Sequence, residues 1–357
     1  MKIYFLCKRY YTNKDLINDR FGRLYHLPKQ LSEHGHSVVV NAFDYRNRTD
    51  LFVADNGVSF QTIPLRPANL ICEILRIYSL VRNINPDVII ASGDIYIGLI
   101  GLLLARRLRI KFVYDVYDYY PAFRINRLPG LKAVFNYVVR KSSLVTCASQ
   151  SLQRWVKSGV NQRTLLIENG VDRNVFSVGD RVEARLKLNF PLNKEVIGYF
   201  GSINSARGPL LIEACRLLRK TKPNLHLIFA GRVDGVDFSE NWIKYYGELP
   251  QSSVPNLIHA CDVVVVPYAS DQFNSMSGAC KIAEYLACGK PVVATRVSDH
   301  AEVFKDAPTS LCEPIADDMA RAISSQLEHP EIVAYPVVLD WQSIGQKLNQ
   351  ELAKLAP

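Results

Sequence analysis

The stretch VIGYFGSINSARGPLLIEACRLLRK, residues 196–220, decides the fold, because it contains one complete structural unit. It begins with β-branched and aromatic residues up to Gly201, and such a run without polar alternation is typical of a strand covered on both faces. A polar loop follows. A helical pattern then begins at Gly208, which we expect to be the N-cap, with Pro209 at the first helical position. The stretch therefore predicts a strand, a loop and a helix of a parallel sheet.

The same alternation of strand and helix runs through the chain. The predicted strands are residues 2–7, 37–43, 87–92, 111–116 and 144–149 in the first half, and 196–201, 225–231, 262–267 and 291–295 in the second. Helical patterns lie between them, for example at residues 22–35, 68–84 and 208–220. Strands that alternate with helices form βαβ units with right-handed crossovers. We therefore predict an α/β protein with doubly wound, Rossmann-like parallel sheets.

The series of strands restarts near residue 195, and 357 residues exceed what one hydrophobic core usually serves. Residues 176–194 are polar and charged and fit a connection between domains. We therefore expect two Rossmann-like domains, residues 1–180 and 181–340, with a ligand cleft between them. The amphipathic tail, residues 341–357, is predicted to form a helix that packs back toward the N-terminal domain.

Composition restricts the class of protein and its location. With 48% hydrophobic and 22% charged residues, the chain resembles ordinary globular proteins and not disordered or fibrous ones. The eight cysteines form no CxxC pair and are typical of buried thiols in a reducing compartment. No secretory signal is visible, and the longest uncharged apolar run, residues 95–105, is shorter than the roughly 20 residues that span a membrane. These features predict a cytoplasmic protein, at most peripheral to a membrane.

The net charge of +9 is unevenly distributed. Residues 1–180 contain 25 Lys and Arg against 14 Asp and Glu, whereas residues 181–357 contain 18 against 20. This asymmetry fits an anionic partner of the first half, and it fits a generically basic surface equally well. We predict that four basic residues lie on the side of the protein that faces the acceptor or the membrane: Arg20, Arg23, Arg124 and Arg127.

Residues 123–142 interleave cations with apolar residues. Such a stretch can lie at an anionic membrane surface. It can also be a helix that packs on its own domain while its cations reach out to solvent. Nucleic acid is disfavoured as a partner because no recognised binding motif accompanies the charge.

Two cations stand at predicted helix starts in the second half, where the helix dipole disfavours positive charge by about a few tenths of a kcal/mol. Lys281 falls in the first turn of a helix predicted in residues 275–291, for which Ser277 is the candidate N-cap and Gly278 leaves room for a ligand. Arg207 precedes the helix that follows strand 196–201. A phosphate at such an end would accept both the free backbone N–H groups and the positive charge. Because both loops follow strands of one domain, they predict a site for a nucleotide diphosphate.

Each cation also has an ordinary explanation. Lys281 and Glu284 are three residues apart and can form an ion pair on a solvated helix face. Arg207 can be a loop arginine in solvent. Two cations placed against helix dipoles in the same domain favour a shared anion more than either does alone.

Asp118 is the candidate catalytic carboxylate. It follows the predicted strand 111–116 between tyrosines, so it can accept a hydroxyl proton or orient a sugar, or it can be a capping or loop aspartate. Asp115 points to the opposite face of an extended strand, so a metal shared with Asp118 requires the strand to end between them. The sequence contains no GxGxxG after the first strand, no GxxxxGK[ST] and no HExxH. We therefore predict no metal and no cofactor.

Several segments resemble the glycosyltransferases of the two-domain GT-B fold, specifically those of the family 4 type. They are NPDVIIAS (85–92), VTCAS (145–149), IENGVDRNVF (167–176), IGYFGSINSARG (197–208), EYLACGKPVVAT (284–295) and HAEVF (300–304). The resemblance covers nearly the whole chain. It implies a nucleotide diphosphate sugar, UDP- or GDP-linked, as the donor in the second domain.

The resemblance also implies roles for individual residues. Arg207 matches the basic residue that holds the donor diphosphate, and Glu284 matches the carboxylate that binds the ribose hydroxyls. Residues 276–278 match a loop whose backbone amides face the phosphate and sugar, and Asp118 matches the aspartate of a His–Asp pair near the reacting centre. The complete predicted donor set is Gly201, Ser202, Arg207, Gly231, Met276, Ser277, Gly278, Lys281 and Glu284.

The chain departs from the family pattern at several positions. Met276 replaces the usual first Glu, Ser202 replaces a phosphate-binding Arg, and Tyr117 replaces the His before the aspartate. NDRFGR (18–23) replaces a glycine-rich first loop. Lys281 and the upstream residues 271–274 resemble a variant of the family motif that has a lysine on this helix. The charge of Lys281 would then replace that of the Arg missing at position 202.

Together these features predict a glycosyltransferase that moves a sugar from a nucleotide diphosphate sugar to a hydroxyl acceptor without a metal. The expected acceptor is a lipid-linked or cell-surface glycan, as in polysaccharide biosynthesis, with peripheral contact to an anionic membrane. Two alternatives stay open. A nucleotide-sugar epimerase or hydrolase on the same fold would turn over the donor without an acceptor, and a non-catalytic glycan- or lipid-binding protein would show no affinity for nucleotides.

Overall fold

The computed structural model describes residues 1–11, 14–66, 70–123, 128–278 and 280–355. The chain forms two compact units. The first comprises Met1–Gly170, Met276–Gly278 and Val338–Pro357, and the second comprises Val171–Ser275 and Ala279–Val337.

The division after Gly170 lies earlier in the chain than the expected boundary at residue 180. The segment that follows it packs on the second unit. His259 donates a hydrogen bond from Nε2 to the Ser177 carbonyl at 2.8 Å, and the Gly179 backbone lies against the same imidazole ring. These tertiary contacts, which the polar local sequence does not reveal, place the segment with the second unit.

The first unit is built around a sheet with the strand order β10-β9-β8-β7-β1-β4-β6-β5. The strands of this unit are β1 (Lys2–Lys8), β2 (Tyr10–Tyr11), β3 (Lys14–Asp15), β4 (Ser37–Asp44), β5 (Phe52–Asp55), β6 (Val58–Pro64), β7 (Val88–Ser92), β8 (Lys111–Val116), β9 (Leu144–Cys147) and β10 (Thr164–Leu166). Strands β2 and β3 form a separate antiparallel hairpin, and β5 pairs antiparallel with β6. The other pairs in the large sheet are parallel.

Helices of the first unit connect these parallel strands. They are α1 (Arg23–Glu33), α2 (Leu70–Ile84), α3 (Ile95–Leu108), α4 (Leu131–Lys141) and α5 (Gln150–Lys157). Every residue of β7 is buried, as expected for a strand with helices on both faces of its sheet. Two of the helix starts carry side-chain caps: Asp94 accepts backbone N–H groups of α3, and Ser149 accepts one of α5. Such caps fix where the loops at the carboxyl ends of the strands turn into helices.

The second unit contains a six-stranded parallel sheet in the order β13-β12-β11-β14-β15-β16. Its elements are α6 (Arg181–Lys187), β11 (Glu195–Phe200), α7 (Gly208–Leu218), β12 (Leu225–Ala230), β13 (Ile243–Tyr245), α8 (Val254–Ala260), β14 (Val263–Val266), α9 (Cys280–Ala287), β15 (Val292–Thr295), α10 (His300–Val303), β16 (Leu311–Cys312) and α11 (Ala316–Glu328). All four residues of β14, at the centre, are buried. The loops after β11, β12 and β14 meet at one edge of this sheet, where doubly wound folds bind ligands.

The C-terminal helix, α12 (Trp341–Ala353), belongs to the first unit and packs on α1. The Trp341 ring stacks on His26 with a centroid distance of 4.9 Å. Gly345 lies so close to α1 that a β-carbon on it would stand 2.4 Å from the Gln30 Cβ. The apolar stripe of this helix therefore has a partner surface.

The fold class predicted from sequence is confirmed: the protein is α/β, with two Rossmann-like parallel sheets. Each of the nine predicted strands overlaps a strand of the structure. Continuous apolar runs do not reveal strand β6, because its sequence, VSFQTIP, alternates buried residues with half-buried polar ones. Within the described residues, no helix has the length and apolarity needed to cross a membrane.

Candidate functional site

Two glycines bring the ends of neighbouring strands together in the second unit. Gly201 follows β11 and Gly231 follows β12, and the Gly201 N–H donates to the Ala230 carbonyl at 2.9 Å. Gly231 has a φ of 127°, and a β-carbon on it would lie 2.1 Å from the Gly201 carbonyl oxygen. No other residue type fits there, so backbone and not side chains forms this part of the sheet edge. Ser202, next to it, is exposed, and its carbonyl accepts the Tyr199 hydroxyl at 3.0 Å.

Arg207 stands at the start of α7, half-buried, and contacts no carboxylate within the described residues. Its guanidinium lies over the Tyr268 ring, 4.2 Å from the centroid, and Nη2 donates to Asn274 Oδ1 at 3.0 Å. Burial alone would lower the pKa of Arg207, but interactions with Tyr268 and Tyr199 raise the pKa above its ordinary value. The side chain is therefore held in place, charged and without a counter-ion.

The start of α7 differs by one residue from the expectation. Arg207 itself is the N-cap, Gly208 is the first helical residue, and Pro209 follows within the first turn. The reason lies in the preceding turn, where the N–H groups of Arg207 and Gly208 both donate to the Asn204 carbonyl. This turn places the Arg207 backbone directly at the positive end of the helix.

Lys281 lies in the first turn of α9 and pairs with Glu284, with 2.9 Å between Nζ and Oε2. The side chains are 20% and 6% exposed, so the pair does not lie on a solvated helix face. Burial alone would lower the pKa of Lys281, but the Glu284 carboxylate raises the pKa above its ordinary value. Lys281 also lies beside Gly201, because a β-carbon on that glycine would stand 3.5 Å from Lys281 Cε. The lysine thus reaches the same strand end as the two glycines.

Arg207 and Lys281 converge on Tyr199. The hydroxyl of this buried tyrosine lies near Gly201. Burial raises the pKa of Tyr199 well above its ordinary value, and the positive charges of Arg207 and Lys281 act to lower it. The edge therefore presents two cations and one carboxylate around a backbone cradle. An anion such as a diphosphate would neutralise the excess positive charge.

Residues 276–278 lie in the first unit. The Ser149 hydroxyl donates to the Met276 carbonyl at 2.7 Å, and a β-carbon on Gly278 would stand 2.5 Å from the Ala148 carbonyl oxygen. Gly278 after Ser277 is not helical, and the described part of α9 begins at Cys280; the N-cap role of Ser277 stays a prediction. The role of these residues toward the donor stays a prediction.

Asp118 follows β8 and is half-buried among aromatic rings. Its carbonyl accepts the Tyr120 N–H at 3.0 Å, which starts a short helical turn, Tyr120–Ala122. Burial raises the pKa of Tyr117 and Tyr120 well above the ordinary value, and the charge of Asp118 adds to the effect. Both phenols are therefore neutral neighbours that can donate hydrogen bonds. The strand does end between Asp115 and Asp118, but no group of three metal-ligating side chains occurs in the described residues.

Arg23 is completely buried, so its assignment to an acceptor or membrane surface is wrong. It forms a two-pronged ion pair with Asp115, with Nη2–Oδ1 at 2.6 Å and Nε–Oδ2 at 3.0 Å. The same guanidinium donates to Asn169 Oδ1 and to the Ile167 carbonyl. Asp115 accepts two further hydrogen bonds, from the hydroxyls of Ser92 and Thr146. These hydrogen bonds tie α1 to three strand ends.

The remaining basic candidates differ from Arg23. Arg20 is exposed and pairs with Asp55 at 3.0 Å. Arg124 and Arg127 lie outside the described residues. The basic stretch 123–142 contains α4, whose own residues Phe135, Val138 and Val139 are buried, so this helix packs on its own unit.

Sequence reasoning missed the support around Arg207, namely Tyr199, Tyr268, Asn274 and His300. His300 is buried, its ring lies 5.5 Å from that of Tyr268, and its Nδ1 donates to the Thr295 carbonyl at 2.7 Å. Its Nε2 has no hydrogen-bond partner among the described residues. Burial lowers the pKa of His300 to about 4, and the charge of Arg207 acts in the same direction. The only sequence signal was its place in the HAEVF segment after β15.

Known proteins resemble both halves of the chain. Residues 180–336 match the family model described as glycosyl transferases group 1, and residues 23–175 match the model described as glycosyltransferase family 4. A D-inositol 3-phosphate glycosyltransferase of Segniliparus rotundus is 28% identical over 150 residues, 38% of this chain and 32% of the relative. An uncharacterized glycosyltransferase of Methanocaldococcus jannaschii is 25% identical over 217 residues, 58% of this chain and 56% of that protein. The chain thus spans between a third and about half of the length of these curated relatives.

Solved structures show the same fold over nearly the whole chain. Sucrose-phosphate synthase of Thermosynechococcus elongatus has a TM-score of 0.77 at 16% identity and covers 99% of this chain and 98% of that chain. Anabaena HepE, solved in complex with UDP, has a TM-score of 0.74 at 20% identity and covers 99% of this chain and 100% of that chain. Because the two family models span both units and the fold agrees, the chain belongs to the glycosyltransferases of the GT-B fold.

Proposed function

We propose that this protein transfers a glycosyl group from a nucleotide diphosphate sugar to a hydroxyl acceptor. One observation carries the proposal: Arg207 and Lys281 are held charged near the Gly201 strand end, and Glu284 pairs with Lys281 and leaves Arg207 without a carboxylate partner among the described residues. This edge lies in the unit that matches the group 1 glycosyltransferases.

The donor diphosphate would lie against the glycine edge, with Arg207 and Lys281 as its counter-ions. In the transfer, the acceptor oxygen bonds to the anomeric carbon, and the bond from that carbon to the diphosphate oxygen breaks. Negative charge then develops on the leaving diphosphate, and fixed cations in a partly buried site stabilise it. We propose that these two side chains supply this stabilisation without a divalent metal.

The nucleoside would be held by Glu284. Its Oε2 carries the bond to Lys281, and a carboxylate has further acceptor positions for the two ribose hydroxyls. HepE was solved with UDP and with UDP-glucose, so UDP-sugars are the first donors to test, and GDP-sugars are the second.

The acceptor would bind to the basic first unit. A lipid-linked or cell-surface glycan would suit its charge, and we propose a role in polysaccharide biosynthesis at the cytoplasmic face of a membrane. Asp118 is the candidate base for the acceptor proton, set among neutral tyrosines.

Calorimetric titration of the whole protein with UDP, GDP and their sugars tests the donor site. We expect one nucleotide series to bind, and Lys281→Met and Glu284→Gln each to weaken it; unchanged affinity in both variants contradicts the site. Incubating the donor with and without glycan acceptors then tests transfer. Turnover without an acceptor, giving free sugar or an isomerised donor, indicates a hydrolase or epimerase instead, and no nucleotide affinity indicates a non-catalytic binding protein.

A further inference from the structure

An apolar groove opens on the outer surface of the first unit, between α2 and α3. It has a volume of about 350 Å³ and is lined by Ile74, Leu75, Tyr78, Ile100, Leu103, Leu104 and Arg107. Leu75 is 61% exposed and Leu103 is 55% exposed, and Ile71, one turn before Leu75, is 74% exposed. A contiguous apolar surface of this kind marks a site of interaction.

The groove is formed by the exposed faces of two amphipathic helices, α2 and α3. Exposed or half-exposed residues recur at helical spacing in α2 at positions 71, 75, 78 and 82, and in α3 at positions 96, 100, 103 and 107. Both helices connect parallel strands of the same sheet, so they run in the same direction and their last turns lie at the same edge. Those last turns carry Arg82 in α2 and Arg106 and Arg107 in α3. Apolar side chains thus fill the middle of the surface, and cations border one end.

The charge of the surrounding helices is strongly one-sided. Helix α2 carries two cations, α3 two and α4, which packs beside α3, three, whereas Glu73 is the one acidic residue of these helices. Glu73 is already paired with Arg76. Neither Arg82 nor Arg107 forms an ion pair within the part of the chain that the structure describes. The cations that border the groove are therefore available to an anionic partner.

We propose that the α2–α3 groove docks the protein on an anionic phospholipid bilayer. The apolar side chains at Leu75 and Leu103 enter the boundary between headgroups and acyl chains, while Arg82 and Arg107 pair with phosphates in the headgroup layer. Amphipathic helix faces with this separation of apolar and cationic residues lie in the membrane interface. This groove would supply the membrane contact of the proposed function, and all of its residues lie in the first unit.

The first test is co-sedimentation of the whole protein with vesicles of phosphatidylcholine, with and without phosphatidylglycerol. We expect binding to the mixed vesicles that weakens as salt is added, because headgroup attraction is screened. Arg82→Gln/Arg107→Gln should weaken partitioning about fivefold for each cation removed. Leu75→Glu/Leu103→Glu should weaken it by more than about tenfold, since it places charge in the apolar layer.

Matched controls lie in the second unit. Leu186→Glu changes an equally exposed leucine of α6, and Lys220→Gln removes one exposed cation; both should leave vesicle binding unchanged. Thermal melting and nucleotide titration of each variant verify folding independently of membrane binding. A protein that docks through the groove but transfers no sugar keeps this inference and loses the proposed function.

Three outcomes overturn the proposal. The wild type does not bind anionic vesicles at low salt, or the groove variants bind as well as the controls. In the third, sedimentation velocity shows that the groove variants abolish a dimer and leave vesicle binding intact, which assigns the groove to a second copy of the chain.

Discussion

Two charge clusters, one buried and one partly buried, lie at the carboxyl edges of the two sheets, and they balance their charges differently. In the first unit, Asp115 accepts two hydrogen bonds from the Arg23 guanidinium and one from each of two hydroxyl groups. We call this cluster closed, because the two charges compensate each other. In the second unit, Glu284 compensates the charge of Lys281, whereas Arg207 contacts the Asn274 amide and the Tyr268 ring. We call this cluster open, because the charge of Arg207 has no carboxylate partner among the described residues. The same topological position thus holds a compensated ion pair in one unit, whereas in the other unit one cation is left over for the anion that we propose.

The largest expected effect comes from opening the closed cluster. Arg23→Met leaves the Asp115 carboxylate buried without its counter-ion, which should lower the free energy of unfolding of the first unit by about 3–5 kcal/mol. Urea denaturation followed by circular dichroism measures it. Arg20→Met is the matched control, because Arg20 is 62% exposed and should change stability by less than about 0.5 kcal/mol.

The double variant Arg23→Met/Asp115→Asn keeps this prediction testable if the single variant does not fold. Removing both charges should restore part of the lost stability, because the uncompensated carboxylate is gone. If the double variant were less stable than Arg23→Met by the full cost of Asp115→Asn alone, the two residues would not act as a pair.

The open cluster should behave in the opposite way when Arg207 is changed. Arg207→Met removes a cation with no carboxylate partner, so we expect stability to change by less than about 1 kcal/mol. The affinity for the nucleotide diphosphate should fall by about 1.5–3 kcal/mol, the worth of a charged hydrogen bond. Calorimetric titration measures the affinity. Arg216→Met, on the exposed face of the same helix, should leave it unchanged, and a large loss of stability in Arg207→Met would show that its role is structural.

His300 sharpens the comparison through pH. Its pKa is lowered to about 4 in the folded protein, below the ordinary 6.5, so between these values the unfolded state binds more protons. Stability should therefore fall as pH decreases through this window, by about 2 kcal/mol between pH 7 and pH 5. Urea denaturation at the two pH values measures this, and in His300→Gln that part of the loss should disappear. An equal pH dependence in both proteins would show that His300 does not titrate there.

Local sequence patterns predicted the strands, the helices and the positions of Lys281 and Arg207, but they did not predict which residues contact the charged side chains. Continuous apolar runs predicted nine strands, and the position of Lys281 and Arg207 against helix dipoles indicated the sheet edge for which we propose donor binding. Arg23 was misplaced because its partner lies 92 residues away, and an arginine at a helix start looks the same whether its carboxylate is solvent-exposed or buried. His300 was passed over for the same reason, since its burial arises from packing against Tyr268 and the Thr295 carbonyl.

The smallest effect concerns the carboxylate of the open cluster. Glu284→Gln keeps the shape and removes the charge that holds Lys281 protonated, so we expect about a tenfold loss of nucleotide affinity from the weaker ribose contact. Burial then acts on Lys281 without its main opposing interaction, so the pKa of Lys281 is lower than in the wild type. The affinity of the variant should therefore fall further as pH is raised to about 9, whereas that of the wild type stays level. Glu313→Gln, from an exposed pair with Arg296, is the matched control. If the nucleotide affinities of Glu284→Gln and the wild type changed in parallel with pH, the charge of Lys281 would not depend on this carboxylate.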